Sequence, residues 1–512
     1  MRSSRRLIFW KEEFCFISDS IIMLSDMNSL FPSPISRSTA VLWLAWWRAV
    51  KLLRLACHRK ATFFWLAAVL AGLCLRPDLA GVTSLIRSLG LTDHSYYCLL
   101  HFFHSSALPV EALTAAWLKT VRLLLGRRLV RCNGRPVVLV DGLKRSKEGR
   151  KMPGVKCLHQ ESDRNAKAPF IMGHSCQAVA LLAQAAGACV GIPIAARIHE
   201  GLVWSNRDRR SLLDKLARLL LELVWEEAVT VVADAYYAAG KFARHLLNAG
   251  HHLVSRVRSN AVAFFPPPSN PRVKRRGRPR LYGRKTKLRH WFRLKARFQT
   301  VRLALYDDRQ VNLRYFSRDL LWRPLGQLVR FVWVTHPHRG RLILLCTDLT
   351  MTPLDILRLY AWRFKIEAGF WQAIHTVGAY AYHFWMRAMT PLRRGDGNQH
   401  LHRKSPKYRQ QVRRKFAAYQ RHIQIGLIAQ GLLQYLALSF RRVAWNNFNS
   451  YIRTAKTHLP PSEWVVAQAL RHTWPHFLRF SPQAANLKKF LVDKIAPRRA
   501  GNHNIFELDL AA

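Results

Sequence analysis

The sequence has 512 residues, half of them apolar, including 17 Trp and 26 Phe, which excludes a chain that is disordered throughout. Its 82 Lys and Arg stand against 29 Asp and Glu, a formal charge of +53 spread along the whole chain. Such an excess indicates a polyanionic partner, for which nucleic acid is the first candidate and an anionic membrane surface the alternative.

The first 130 residues predict helices without a membrane span. Residues 1–14 begin with basic side chains, but the Lys-Glu-Glu at 11–13 leaves an apolar run too short for a secretory signal. Residues 61–75 are uncharged and apolar but fall short of the ~20 residues that cross a bilayer, which favours a buried helix. The nine cysteines include no CxxC pair, so neither a disulfide framework nor a zinc ribbon is indicated. We therefore expect a cytoplasmic protein.

From residue 137 onward, short apolar runs alternate with amphipathic segments. In chain order they predict a strand at 137–142, a hairpin at 174–184 and 189–200, a helix at 205–227 capped by Ser205 or Asn206, a strand at 229–235, a helix at 239–250 and a strand at 251–258. The order β-β-β-α-β-α-β is typical of the α/β class.

A long intervening segment then separates this core from one further helix. It opens on a Pro-rich segment, 264–271, and continues into residues 273–289, which carry nine basic residues and no acid. Strand-like runs at 297–307, 327–336 and 340–348 then indicate a β-rich insertion. The chain resumes with an amphipathic helix at 360–374, a basic loop at 391–415 and a long helix that ends near residue 440.

The predicted organisation has five parts. They are a helical N-terminal region (1–130), the first part of the core (131–260), the β-rich insertion (261–350), the second part of the core (351–390) and a basic helical C-terminal region (391–512).

The placement of three acidic residues carries the functional prediction. Asp141 and Asp234 each end an apolar strand, where the loops of an α/β sheet surround a cleft. Glu367 falls on the apolar, and therefore buried, face of the 360–374 helix when each residue is given ~100° of turn. Each has a structural alternative: a strand-ending turn for Asp141, a helix cap for Asp234 and an i,i+4 ion pair with Arg363 for Glu367.

Bringing the three carboxylates together would make their charges repel unless cations intervene. Carboxylates are hard oxygen ligands that suit Mg²⁺ or Mn²⁺, and two such ions can drive phosphodiester chemistry. In a basic protein, this predicts a nuclease or a strand transferase.

At these residues the sequence resembles the bacterial insertion-sequence transposases of the DDE class, in the subgroup with a Tyr-x2-Arg-x3-Glu-x6-Lys pattern. Tyr360, Arg363 and Glu367 match it, and residues 140–162 and 231–242 resemble the segments around the first two catalytic Asp. The resemblance covers about residues 137–385.

The resemblance implies a ribonuclease-H-like mixed sheet flanked by helices. It further implies that Asp141, Asp234 and Glu367 are catalytic and bind two Mg²⁺ or Mn²⁺ ions, and that Tyr360 and Arg363 contact DNA phosphate. The partners would be double-stranded DNA, at the element ends and at the target, and a second copy in a homodimer on DNA. The helical region 1–130 would bind the element ends. A bacterial, nucleoid-associated protein is expected.

One departure keeps alternatives open: Ile374 stands where the pattern has Lys. A DNA nuclease of the same fold without strand transfer is one alternative, and a catalytically impaired DNA-binding relic is the other.

Further DNA contacts are predicted in the insertion. Its Arg-Gly-Arg-Pro-Arg sequence resembles a minor-groove hook, which makes Lys274, Arg276, Arg278 and Arg280 candidate DNA contacts, with a solvated basic loop as the alternative. Three Trp residues of this region are candidates for base stacking, although a position in the core is favoured for each: Trp291, Trp322 and Trp333.

Overall fold

The computed structural model describes residues 34–160, 168–267, 280–305 and 310–495. Before the first strand, the chain is helical: α1 (Pro34–Lys51), α2 (Lys60–Leu75), α3 (Gly81–Leu89), α4 (His94–His104) and α5 (Val110–Leu125). Most of α2 is buried in the core, which confirms the prediction for residues 61–75. Across the described ranges, every helix is too short or too polar to cross a membrane.

The central part of the chain alternates strands and helices. In chain order these are β1 (Arg131–Cys132), β2 (Arg135–Ser146), β3 (Lys156–His159), β4 (Phe170–Ala185), β5 (Ala188–Ile198), β6 (Leu202–Val203), α6 (Leu212–Glu222), β7 (Thr230–Ala233), α7 (Gly240–Asn248) and β8 (His252–Val257). The predicted strands around 137–142, 229–235 and 251–258 are confirmed as β2, β7 and β8, and the predicted hairpin as antiparallel β4 and β5.

The insertion and the C-terminal part follow. They contain β9 (Val262–Phe264), β10 (Lys285–Lys287), β11 (Gln299–Ala304), β12 (Gln310–Trp322), β13 (Gln327–His336), β14 (Gly340–Cys346), α8 (Pro353–Trp362), α9 (Lys365–Gln372), β15 (Gln399–His400), α10 (Pro406–Ser439), α11 (Arg441–Asn446), α12 (Glu463–Phe480) and α13 (Ala485–Val492). The sequence predicted the insertion's β character but missed β12.

One mixed sheet unites the core and the insertion. Its core strands lie in the order β5-β4-β2-β7-β8, with β4 antiparallel to β2 and β5, and β7 parallel to β2 and β8. The sheet continues through antiparallel β14, β13 and β12 to β9 and β10, so the insertion extends the core sheet from its β8 side.

Helices from both ends of the chain pack together against this sheet. Trp43 of α1 lies 4.5 Å from Trp474 and 5.4 Å from Phe477 of α12, measured between ring centroids. Gln424 and Gln434 of α10 donate hydrogen bonds to main-chain oxygens of β5, at 2.8 and 3.2 Å. The apolar runs of β2 and β7 are buried because helices cover the sheet there.

Helix α6 differs from its prediction at both ends. It begins after Ser211, whose hydroxyl accepts from the Asp214 amide at 3.3 Å while the Asp214 carboxylate accepts from the Ser211 amide at 2.8 Å. This capping box fixes the start of the helix, so the predicted caps Ser205 and Asn206 are wrong. The helix ends at Glu222 and not at residue 227.

Candidate active site

Asp141 and Asp234 follow paired residues on neighbouring parallel strands. Val140 of β2 is in register with Ala233 of β7, and each aspartate is the next residue along its strand. Asp234 directly follows the last residue of β7, close to the predicted strand end, and its carboxylate accepts from the Ala235 amide at 2.5 Å, where it caps a short 3-10 turn. Asp234 thus caps this turn and not helix α7, which begins after Ala239 without a side-chain cap.

The prediction that Asp141 ends its strand is wrong. Strand β2 runs on to Ser146, and its pairing with β4 continues through Asp141↔Ala178. The parallel pairing with β7, however, stops at Val140. Asp141 therefore lies in the middle of β2 but at the point where the neighbouring strand leaves, which opens the edge of the sheet beside it.

The predicted helix at 360–374 is two helices with a tight turn between them. Helix α8 ends at Trp362 and α9 begins at Lys365; across the break, the amide of Arg363 donates to Tyr360 O and that of Ile366 to Arg363 O, both at 3.2 Å. These i→i−3 bonds turn the chain by more per residue than an α-helix does. Glu367 is consequently 54 % exposed at its side chain, so its predicted buried position is wrong.

Arg363 joins the helix to the sheet. Its Nη1 lies 3.1 Å from Asp141 Oδ2 and 2.8 Å from Glu367 Oε1, so one guanidinium bonds two of the predicted catalytic carboxylates. Burial alone would lower the pKa of Arg363, but the carboxylates of Glu367 and Asp141 outweigh it and raise that pKa. The Tyr360 ring centroid lies 5.8 Å from the same guanidinium. The ion pair weighed as an alternative for Glu367 is therefore present, and it extends to Asp141.

The pKa of Asp141 reflects first its burial and then the charges around it. It rises from 3.8 to about 6, chiefly because the side chain is buried, while Arg363 and the Gly142 amide act in the opposite direction. The negative charges of Glu367 and Asp234 raise it further. The three predicted residues thus lie in one electrostatic neighbourhood.

The chemical nature of these three side chains suits a divalent cation. Carboxylate oxygens are the ligands of Mg²⁺ and Mn²⁺, and a carboxyl whose pKa is raised by neighbouring carboxylates gains from a nearby cation. Among the residues that the structure describes, no three His, Cys, Asp or Glu side chains are gathered tightly enough to hold one metal ion. Arg363 instead lies between Asp141 and Glu367.

A buried polar chain lies behind Asp141, and sequence reasoning missed it. Burial first, and the nearby Asp141 charge second, raise the pKa of Tyr237, whose hydroxyl hydrogen-bonds Gln177. Gln177 pairs with Gly142 across the strands and bonds His199 Nδ1 at 2.6 Å. The one sequence signal is that Tyr237 follows Asp234 by three residues.

The end of the site helix is held from the N-terminal helices. Beyond α9 the chain forms a π turn, Ala373–Val377, which ends at Gly378 with φ +69°. The buried Arg76 guanidinium donates to Val377 O at 2.5 Å and to Gly378 O at 2.9 Å. Ile374 packs against the core, whereas His375 is exposed.

The predicted DNA contacts of the insertion divide into two groups. Arg280 is described and exposed, whereas Lys274, Arg276 and Arg278 lie outside the described residues. The Trp residues weighed for base stacking are all buried in the core: Trp291, Trp322 and Trp333.

A cavity of about 550 Å³ adjoins the site helices. Its lining includes Arg127, Arg128 and Arg131 beside β1, and Arg358 and Trp362 from α8. Trp362 is the last residue of α8 and immediately precedes Arg363, the residue that bonds Asp141 and Glu367.

Comparison with known proteins gives the class. Residues 53–314 match the family model described as DDE superfamily endonuclease, and the chain belongs to this family. The matched segment contains Asp141 and Asp234 and ends before Glu367. No curated protein matches the chain. Among solved structures, a cryo-EM structure of the piggyBac transposase synaptic complex with hairpin DNA is similar over 92 % of this chain and 85 % of that chain, at 12 % identity and a TM-score of 0.33.

Proposed function

We propose that this chain is a DNA transposase of a bacterial insertion sequence. It would cleave DNA at the element ends and join the freed 3′-hydroxyl to target DNA, with Asp141, Asp234 and Glu367 as catalytic carboxylates. The observation that carries the proposal is their convergence: adjacent positions on parallel strands for the two aspartates, and one guanidinium bonded to both Asp141 and Glu367.

The mixed α/β sheet supports a ribonuclease-H-like core. Three antiparallel strands, β5, β4 and β2, continue into the parallel strands β7 and β8. Asp141 lies on β2, and Asp234 directly follows β7 beside it. Membership in the DDE superfamily endonucleases supports the same reading.

The proposed reaction uses divalent cations held by the three carboxylates. Two Mg²⁺ or Mn²⁺ ions bound there would polarise the phosphate and activate water or a 3′-hydroxyl. Arg363 holds Asp141 and Glu367 near one another and, with Tyr360, presents cationic and hydrogen-bonding groups to a DNA phosphate.

Double-stranded DNA is the proposed partner, at the element ends and at the target. The charge of +53 supports phosphate binding along an extended surface. We assign recognition of the ends to the N-terminal helical region and additional contacts to the basic insertion loop, including Arg280, and to the C-terminal helices. A homodimer on DNA would bring two ends together.

The test replaces each carboxylate and supplies Mg²⁺ with DNA taken from both flanks of the gene. Asp141→Ala, Asp234→Ala and Glu367→Ala should each abolish cleavage while DNA binding persists. Glu222→Ala, which removes an exposed carboxylate paired with Arg218, is the matched control and should cleave normally. Retained cleavage in all three variants would refute the proposed site.

Two alternatives separate in the same assay. A nuclease of this fold would cut the flanking DNA but never join the cut end to a target molecule. A DNA-binding relic would bind with strong salt dependence and produce no metal-dependent nick. Ile374 favours the relic, because this position carries an apolar side chain that packs into the core.

A further inference from the structure

The cavity of about 550 Å³ beside α8 is strongly basic. Among the described residues its lining has one acid, Asp355, and four arginines: Arg127, Arg128, Arg131 and Arg358. Guanidinium groups that share one cavity repel one another unless carboxylates or a bound anion balance their charge. The volume of this arginine-lined cavity lies within the range of ligand-binding pockets.

Carboxylates balance two of the four arginines. The two Nη atoms of Arg131 each donate to the Glu227 carboxylate at 2.7 Å, and Arg358 Nη1 lies 3.2 Å from Asp355 Oδ1. Arg127 and Arg128 form no ion pair with any carboxylate in the described part of the chain. The cavity therefore keeps two uncompensated positive charges, which suits an anionic ligand.

Local structure holds these two arginines at the cavity. They lie on the 3-10 turn Gly126–Arg128, which follows α5, and an isolated bridge between Leu129 and Ala183 fixes the end of this turn against β4. Arg127 is exposed and Arg128 is half-buried. The nearby turn between β4 and β5 adds small residues to the lining, which leave room for a bulky ligand: Ala185, Ala186 and Gly187.

The backbone phosphates of DNA match the charge and the length of this cavity. Guanidinium groups bind phosphate through paired N–H···O bonds and keep their charge at every working pH. The α8 residues of the lining share one face, from Asp355 to Trp362, which rises about 10 Å along the helix. One strand of a duplex carries a phosphate every ~3.4 Å of axis, so this face spans about two or three of them. A single phosphate ion would engage only part of that length.

The same helix connects the cavity to the carboxylates. Trp362 lines the cavity and ends α8, and the next residue, Arg363, bonds Asp141 and Glu367. A DNA backbone that follows the cavity face of α8 therefore arrives beside the carboxylate site.

We propose that the arginine-lined cavity binds backbone phosphates of the DNA duplex next to the bond that is cut, through Arg127 and Arg128. The contact is independent of base sequence. Both arginines are positioning residues, because they hold the duplex and take no part in phosphoryl transfer. This inference rests on the proposed function, since it requires DNA as the substrate.

The test combines arginine variants with DNA in which single phosphates carry no charge. Methylphosphonate linkages replace the phosphates one at a time along both strands of a duplex taken from the flanks of the gene. Fluorescence anisotropy without divalent metal gives the affinity of wild type, Arg127→Ala, Arg128→Ala and Arg128→Lys at several salt concentrations. Arg218→Ala is the matched control, because it removes the same charge from an exposed arginine outside the cavity, paired with Glu222.

Each alanine variant in the cavity should bind the unmodified duplex about 3- to 30-fold more weakly and reduce the slope of log affinity against log salt by about 1. A neutral linkage at the contacted phosphate should weaken wild type by a similar factor and should not weaken the alanine variant further, because that contact is already lost. Arg128→Lys should keep the salt slope of wild type. Arg218→Ala should change the affinity by less than about 2-fold at every linkage.

Three outcomes would overturn the inference and leave the proposed function standing. The first is unchanged affinity and salt slope in both alanine variants. The second is a loss in these variants that adds in full to the loss at every neutral linkage, because the arginines would then act only through long-range charge. The third is a rise in the Tm of wild type with inorganic pyrophosphate that disappears in the alanine variants while their DNA affinity is unchanged, which would assign the cavity to a free phosphate compound. Wild-type protein that does not bind the duplex would refute the proposed function as well.

Discussion

Replacing Asp141 with Asn should stabilise the protein at neutral pH. Burial, aided by the charges of Glu367 and Asp234, raises the Asp141 pKa from 3.8 to about 6 despite the opposing Arg363. Since the folded pKa exceeds the unfolded one, the protonated form favours folding. The stabilisation of the folded state by the protonated Asp141 carboxyl is complete below about pH 4 and is lost as the pH rises through about 6. Asparagine is neutral at every pH and avoids this loss.

The magnitude follows from the two pKa values. One pKa unit corresponds to about 1.4 kcal/mol, so a rise from 3.8 to about 6 corresponds to roughly 3 kcal/mol of destabilisation above pH 7. For a protein of this length that is a shift of a few degrees in Tm. Thermal unfolding of wild type and Asp141→Asn, measured from pH 4 to pH 8 with chelator present, should show curves that meet at low pH and separate between pH 4 and 7.

Asp214 provides a control of opposite sign. Although its burial acts to raise the pKa, the hydrogen bonds from Lys241 and Ser211 lower it to about 2. Its stabilising effect is present above about pH 4 and is lost as the pH falls toward 2, so Asp214→Asn should destabilise the protein at neutral pH. The reasoning would be refuted if Asp141→Asn were less stable than wild type at pH 8, or if the difference between the two were the same at every pH.

The other predictions use the same preparations. Adding Mg²⁺ at pH 8 should raise the Tm of wild type and leave that of Asp141→Asn nearly unchanged, and equal rises would argue against this metal site. Gly378→Ala should lower the stability by more than the ~1–2 kcal/mol that a left-handed backbone costs a non-glycine residue, because its Cβ would lie 2.2 Å from the buried Arg76 guanidinium. Gly395 also has a positive φ but open space around it, so Gly395→Ala should show the backbone effect alone. Arg127→Ala combined with Arg128→Ala should reduce the slope of log affinity against log salt by about 2, if both contact DNA phosphates, and an unchanged slope would exclude the cavity from the DNA surface.

The strands that carry the two aspartates were predictable because each is a short apolar run with an acid at its end. Uninterrupted burial on both faces leaves that signature in the sequence, and it holds for residues 136–140 of β2 and for all of β7. The end of β2 was not predictable, since polar residues after Asp141 continue to pair with β4 alone. The length of β2 depends on its pairing with β4, and the hydrophobic periodicity of one segment gives no information about which strand it pairs with.

The orientation of Glu367 could not be derived from an ideal helix. Two changes of backbone geometry, the tight turn at Arg363 and the π turn at Ala373–Val377, rotate the residues around the axis in ways that a fixed 100° per residue omits. The contact between Arg363 and Asp141 joins residues far apart in the chain, and local pattern carries no information about it. The same applies to the arginine-lined cavity, which is assembled from distant elements.

The charge balance of the site ties the proposed metal to the proposed substrate. Asp141, Asp234 and Glu367 supply three carboxylates, and Arg363 supplies a single positive charge that it divides between two of them. A DNA phosphate that approaches this arrangement meets a net negative site in an otherwise strongly basic protein. Arg363 cannot neutralise the carboxylates and clamp a phosphate at full strength with the same donors. Divalent cations at the carboxylates would resolve both conflicts, because they cancel the repulsion and leave the guanidinium available to the phosphate.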